Sequence, residues 1–313
     1  MIFIFGAYYI KFKMIKTIER NITYITNITY LTNIMPEGPE IHRYACIIAD
    51  YFYNNDLIDI RVLSGRYTKK PITDLDKIKF PVKIVDIGTK GKYLFIELSN
   101  GFYLSITHGM SGTWNHNGLG NETRYDYTDD KHNRIEFKTS NGSIFYNDYR
   151  NFGTFQIIRE REQLEKKWNA LGPDILNDNI NEDIFYSRID KKKSKKIADL
   201  LVDQKLISGM GNYLRAEILW YAKISPHRIY SSLNQEEKTR LYNAAYNLVR
   251  YHTIKKKSKR YPSMNNSKLE YQLNIKPEKD FFVYQQKIDS YGNEVITEKM
   301  GGRTIHWVPK LQK

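Results

Sequence analysis

Met35-Pro36-Glu37-Gly38-Pro39-Glu40 is the stretch on which the fold of this chain turns. Two prolines and a glycine within four residues mark a turn entering a helix, and Glu37 and Glu40 suit the positive end of that helix. Ile41, Tyr44, Ala45, Ile48 and Phe52 follow at the spacing of one helical face, so an amphipathic helix is expected to begin almost at Pro36. By itself the hexapeptide is an ordinary helix start with no chemistry. Upstream, residues 1 to 34 show neither a helical nor a convincing strand period, and Asn21 to Ile34 repeats an Ile-Thr-Tyr and Asn-Ile-Thr theme. Residues 1–35 therefore read as a low-complexity leader, expected to be absent from the mature protein.

Downstream the period changes. Tyr93 to Leu98 and Phe102 to Ile106 alternate around Asn100-Gly101, while Arg134 to Lys138 and Ser143 to Tyr146 flank Asn141-Gly142. Asn-Gly between strand-like runs signals a tight hairpin, because both residues accept positive φ. Two hairpins in one region imply an antiparallel sandwich or barrel. After about Ile158 helical spacing takes over, at Ile197, Leu200 and Leu201, at Leu214, Ile218 and Ala222, and at Leu241, Ala245 and Leu248. Phe281 to Val308 returns to strand-like residues around turns at Gly292-Asn293 and Gly301-Gly302.

Composition narrows the partner. The 313 residues carry 49 Lys plus Arg against 35 Asp plus Glu, a net charge of +14, as expected of a protein that meets a phosphate backbone. Lysine runs at Lys191 to Lys196 and Lys255 to Arg260 are either solvated faces or loops flanking a DNA surface. Cys46 is the only cysteine, which excludes an intrachain disulfide and a four-thiolate zinc site. No run approaches the roughly 18 apolar residues of a membrane span. Met1 to Ile10 is apolar but has no basic segment ahead and no small-residue cleavage site behind, so a secretory signal is not expected. The protein is read as intracellular, in the cytoplasm or a DNA-containing compartment. There, the glycosylation-type triplets at Asn21 and Asn27 are chance. The 25 tyrosines reflect an AT-rich coding bias and carry no function.

Six segments acquire meaning in combination. They are the hexapeptide, Gly91-Lys92-Tyr93-Leu94, Gly109-Met110-Ser111-Gly112, Asp148-Tyr149-Arg150-Asn151-Phe152-Gly153, Leu171-Gly172-Pro173 and Gly209-Met210-Gly211-Asn212-Tyr213. In this order the chain, from Met35 to Pro309, resembles the formamidopyrimidine-DNA glycosylase and endonuclease VIII family. Gly211 to Leu219 and Gly302-Arg303-Thr304-Ile305 look most like the endonuclease VIII-like branch found in animals. The resemblance implies an α+β multidomain fold, with an N-terminal helix on an antiparallel β-sandwich over residues 36–157. A helical helix-two-turn-helix domain over residues 158–275 and a C-terminal β-hairpin finger over 276–313 would follow. That finger has no cysteine and only His306, so it is expected to be zincless and held by Phe282, Tyr284, Ile305 and Trp307.

The same resemblance implies a bifunctional glycosylase and AP lyase of base excision repair. Pro36, freed from Met35, would be the amine nucleophile at C1′, forming a Schiff base. Glu37 would move protons beside it, and Lys92 would contact phosphate and assist at the sugar. Glu40 and Arg303 would support catalysis, Asn212, Lys205 and Arg303 would bind DNA, and Met110, Arg150 and Phe152 would fill the void left by the flipped nucleotide. Asn212 follows two glycines, where it could also cap a helix that offers N–H groups to phosphate. No metal or organic cofactor is implied. The partner would be damaged double-stranded DNA, with single-stranded DNA also accepted, and the protein a monomer. Oxidised pyrimidines and formamidopyrimidines would be favoured over 8-oxoguanine, because the loop that would cap 8-oxoguanine is not recognisable between Lys255 and Pro277. Two alternatives stay open: a lesion-binding protein of the same fold without catalysis, if Pro36 stays internal, and a basic structural or RNA-associated protein.

Overall fold

A computed structural model describes residues 35–116, 130–255, 269–277 and 280–313. The leader, residues 256–260 of the second lysine run and most of the segment between Lys255 and Pro277 lie outside the described residues. Helix α1 spans Gly38–Phe52, with Pro39 in its first turn and Ile41, Tyr44, Ala45, Ile48 and Phe52 all buried. Its apolar face lies on a sandwich of two four-stranded antiparallel sheets. One has the order β1-β6-β7-β5, from Leu57–Val62, Asn133–Thr139, Gly142–Asp148 and Gly112–His116. The other has the order β2-β3-β4-β8, from Ile84–Lys90, Tyr93–Leu98, Tyr103–Thr107 and Thr154–Ile158.

Both Asn-Gly hairpins form. Strands β3 and β4 pair across the first turn, with Leu94 opposite Ile106, and β6 and β7 pair across the second, with Phe137 opposite Ile144. Alternation turns Leu94, Ile96, Leu104 and Ile106 from one sheet, and Ile135, Phe137, Ile144 and Tyr146 from the other, into a shared core with α1.

The chain then becomes helical. Helices α2 (Arg161–Asn169) and α3 (Glu182–Ile189) lead to α4, a single turn at Ile197–Leu200. Two turns carry the chain from Leu201 to Gly211, and α5 (Asn212–Ala222) and the long α6 (Gln235–Ile254) complete the expected helix-two-turn-helix arrangement. Leu214, Ile218, Leu241, Ala245 and Leu248 all face one core, as their spacing predicts. None of the described helices is long and apolar enough to cross a membrane.

The last segment departs from expectation. Of Phe281 to Val308, only Ile296–Met300 (β9) and Arg303–Trp307 (β10) are strands, paired around Gly301-Gly302. The backbone N–H groups of Phe282, Val283 and Tyr284 do not meet a neighbouring strand. They donate instead to the buried carboxylate of Glu217 on α5, at 2.8, 3.0 and 2.9 Å. The turn before β9 is likewise built on a carboxylate, since Asp289 accepts from the backbone of Tyr291 and Asn293.

Among the described residues no cluster of His, Cys, Asp or Glu could hold a metal ion. The hairpin is seated by packing. Phe282 and Ile305 are fully buried, Tyr284 is buried and Trp307 is half-buried, all in the core of α5 and α6. Trp220 of α5 stacks on Phe282 at 4.6 Å and on Tyr291 at 5.2 Å, and its indole N–H donates to Asp289 at 2.9 Å. Trp220→Ala is expected to destabilise the protein by roughly 3–5 kcal/mol, as for other buried large aromatics. Urea unfolding checks it, and a loss below 1 kcal/mol would mean that the hairpin segment is not anchored there.

Candidate active site

Glu37 sits at the foot of α1 with no solvent exposure. Its carboxylate oxygens accept hydrogen bonds from the backbone of Gly211 at 2.6 Å, Tyr213 at 3.0 Å and Leu214 at 3.3 Å. These are orphan N–H groups of the first turn of α5, so a residue that opens one helix satisfies the start of another. The N-cap of α5 is Gly211, and Asn212 is its first helical residue, which corrects the capping role expected of Asn212. The reason is steric. A Cβ at Gly211 would collide with Lys92 Nζ and the Glu37 carboxylate, so only glycine leaves room for the contact.

Burial pushes the Glu37 carboxyl up to about 7, against the pull of the Lys92 charge and the N–H donors. Lys92 is half-buried and shifts the opposite way. Burial lowers its ammonium, Glu37 opposes that, and the positive charge of Arg303 adds to it. Burial thus shifts the carboxyl up and the amine down, and a carboxyl near 7 is suited to proton exchange at neutral pH.

The surrounding residues fix this pair from a distance. Glu40 accepts from the Glu37 backbone N–H at 3.0 Å, from the Tyr213 hydroxyl at 3.0 Å and from Arg43 at 2.6 Å. Arg43 in turn donates to the His252 carbonyl on α6 at 2.6 Å. Lys92 follows Gly91, whose φ of +57° places it in the left-handed region. The Gly91 N–H donates to the buried Asp174 at 2.7 Å, and Asn177 ties that carboxylate to Thr89. Asp174, Asn177 and Arg43 were not anticipated from sequence. Only the Leu-Gly-Pro motif directly before Asp174 pointed toward that region.

Pro36 is buried beside Glu37 and lines a cavity of about 300 Å³ with Lys92, His108, Gly109, Leu171 and Gln204. Burial holds the His108 imidazole near 3, so it is neutral, and Nε2 accepts from the Trp114 indole N–H at 2.9 Å. Gln204 bridges the two turns before α5, accepting from the Gly209 N–H and donating to the Met210 carbonyl. Lys205, next to it, is exposed.

Met110, Arg150 and Phe152 come together on two adjoining loops, all exposed, with Phe152 58 % accessible. Arg150 Nη1 approaches Met110 Sδ at 3.5 Å. Asp148 clamps both loops, accepting from the Ser111 hydroxyl and from the Gly153 N–H. Arg303 is exposed at the start of β10, and the Thr304 carbonyl after it accepts from Asn212 Nδ2 at 2.7 Å. Every residue expected at the site is therefore described, and Pro36, Glu37, Glu40, Lys92, Asn212 and Arg303 adjoin one junction between the sandwich and α5.

One family of known proteins matches this chain from the first helix to the last hairpin. Profiles of the formamidopyrimidine-DNA glycosylase N-terminal domain, H2TH domain and C-terminal domain match residues 35–155, 171–261 and 273–313. The chain belongs to the formamidopyrimidine-DNA glycosylase family. It is 32% identical over 223 residues to the enzyme of that name from Ureaplasma parvum, covering 69% of this chain and 77% of the relative. The Oceanobacillus iheyensis protein of that name is 29% identical over 287 residues, 89% of this chain and 98% of the relative. Lactococcus lactis Fpg, solved with DNA containing an abasic site, superposes with a TM-score of 0.71 at 24% identity, over 89% of this chain and 100% of that one. MutM solved with DNA containing carbocyclic 8-oxo-G gives the same TM-score and coverage at 25% identity. The protein is a DNA glycosylase of base excision repair.

The raised Glu37 pKa fixes a sign for stability. A carboxyl at 4.5 when unfolded and about 7 when folded binds more protons in the folded state between those values. Its contribution is therefore fully present below pH 4.5 and is lost as pH rises to 7. Relative to Glu37→Gln, which cannot titrate, the wild-type protein should lose roughly 3 kcal/mol across that window. Paired urea unfolding at pH 4.5, 5.5 and 7 measures it, and a difference independent of pH would refute the shift.

Proposed function

We propose that this glycosylase removes oxidised bases through the secondary amine of Pro36 and then cuts the strand at the resulting abasic site. The observation that carries this reading is the meeting of Pro36, Glu37 and Lys92 at one buried junction. The Pro36 lone pair attacks C1′, the glycosidic bond breaks with its electron pair on the departing base, and the base takes up a proton. The Pro36 nitrogen gives up its proton, and the C1′–O4′ bond of the resulting amino acetal breaks as O4′ takes up a proton from Glu37, leaving an open-chain iminium that is an electron sink. Loss of a C2′ proton expels the 3′ phosphate and loss of a C4′ proton then expels the 5′ phosphate, leaving a one-nucleotide gap. Glu37, with its carboxyl near 7, exchanges protons with the sugar ring oxygen. Lys92 supplies the adjacent cation for the phosphate and the sugar.

The other assignments complete the reading. Damaged double-stranded DNA lies across the junction, with Asn212, Lys205 and Arg303 on its phosphates and Glu40 supporting Glu37. Met110, Arg150 and Phe152 occupy the space vacated by the flipped nucleotide: a flexible apolar wedge, a hydrogen-bonding cation and a stacking ring. The functional units follow the elements, with the catalytic sandwich over 36–157, the helical unit over 158–275 and the finger over 276–313. The protein acts as a monomer, accepts single-stranded DNA as well, and belongs to the endonuclease VIII-like branch with a zincless finger. It prefers oxidised pyrimidines and formamidopyrimidines to 8-oxoguanine.

One feature favours a second reading, lesion binding without catalysis. In the chain as written the Pro36 nitrogen is a tertiary amide after Met35, with its lone pair delocalised into the carbonyl. Amine chemistry requires that bond to be cut, and the family match begins at residue 35. The intact mass of the protein isolated from its source separates the readings. A product that begins at Pro36 supports catalysis, and a stable one that retains Met35 supports binding alone. With Pro36 terminal, borohydride should trap a covalent complex on duplex DNA containing thymine glycol. Glu37→Gln should reduce trapping by about 100-fold or more, in the range of general acid-base effects. Undiminished trapping would remove the role given to Glu37, and faster excision of 8-oxoguanine than of thymine glycol would overturn the lesion preference.

A further inference from the structure

Arg215 lies on the first turns of α5 with its side chain 1 % exposed, among the largest fully buried side chains of the protein. Its Nη2 donates to Asn212 Oδ1 at 2.5 Å, and its Nε has no partner. No described carboxylate forms an ion pair with it. Asp199 and Glu37 exert opposite charge on it, but the Glu37 oxygens are already bonded to N–H groups of Gly211, Tyr213 and Leu214. Arg303 adds like charge, and burial with that repulsion lowers the guanidinium to about 10, which still leaves it a cation at neutral pH. Two further features make the surroundings more positive or unsatisfied: the N-terminus of α5 itself, and the 8 % exposed His306, whose Nδ1 also lacks a partner. A buried cation that no carboxylate pairs directly is unfavourable by itself, and an anion that docks beside it relieves the cost.

The hydrogen bond also settles the orientation of a neighbour. A guanidinium can only donate, so the Asn212 oxygen must face Arg215 and its NH₂ must face the finger. One N–H of that group is bound to the Thr304 carbonyl, and the Tyr284 hydroxyl also hydrogen-bonds the Asn212 side chain.

We propose that Arg215 is a positioning residue for DNA: it fixes the Asn212 amide and supplies a buried positive charge that is matched only when a backbone phosphate docks between Asn212 and Arg303. The ligand chemistry rests on the glycosylase reading above. Arg215 touches no reacting atom and acts through Asn212 and through its field.

The test uses the full chain, with Arg215→Met and Arg215→Lys beside wild type, and a duplex carrying a tetrahydrofuran abasic analogue. Arg215→Met should bind about 10-fold more weakly at low salt, with the slope of log affinity against log salt smaller by about 1. The thermal midpoint of the DNA-free variant should be unchanged or higher, because an unmatched buried charge has been removed. Arg215→Lys keeps the charge and should recover the slope, with affinity only partly restored because an ammonium lacks the planar fork that holds Asn212. Wild-type affinity and slope in Arg215→Met, or equal loss in both variants, would overturn the proposal alone. A wild-type protein without preference for the lesion duplex would overturn it together with the glycosylase reading.

Discussion

The Glu37 carboxylate at the start of α5 is the contact on which the rest of the molecule depends. It belongs to the first residues of the sandwich half, yet its acceptors are spent on N–H groups of the helical half, 174 to 177 residues away in sequence. Three such bonds favour the ionised form, and complete burial opposes it. The balance leaves a carboxyl that is fixed in place and still able to exchange a proton. A surface carboxylate would have freedom without the shift, and a fully paired one would have neither.

What makes that contact attainable is an unusual absence of side chains. Gly38 donates its N–H to the Gly209 carbonyl at 2.8 Å, and Gly91 packs on Ser208 and Gly209, so two backbones approach without Cβ atoms between them. Close approach excludes water, which lowers the Lys92 ammonium and raises the Glu37 carboxyl by one physical cause. The glycine-rich stretches are therefore part of the electrostatics of the junction as much as of its turns.

The sequence made some of this legible. Asn-Gly turns announced the β3–β4 and β6–β7 hairpins, and helical spacing announced α1, α5 and α6, because those signals are local. Pro36, Glu37 and Lys92 stood out only through the resemblance of their motifs to a known family, since each short motif alone reads as an ordinary turn or strand edge. Strands β1, β2 and β5 carried no comparable turn signal and stayed unread. Phe281 to Val295 misled, since its strand-like residues are buried as an irregular segment bound to Glu217. The same limit applies to Asp174, Arg43 and Asp148. Their importance comes from partners such as Gly91, His252 and Ser111, which are remote in sequence and adjacent only after folding.

The division of Glu37 between two halves also works as an interlock. Burial is the largest cause of both shifts, and the Glu37 carboxylate is buried where the sandwich meets the start of α5. In the proposed chemistry, a chain that has opened at this seam, or has not yet closed it, holds ordinary solvated side chains and no means to sever a strand. In that chemistry, strand cutting would be confined to the assembled state.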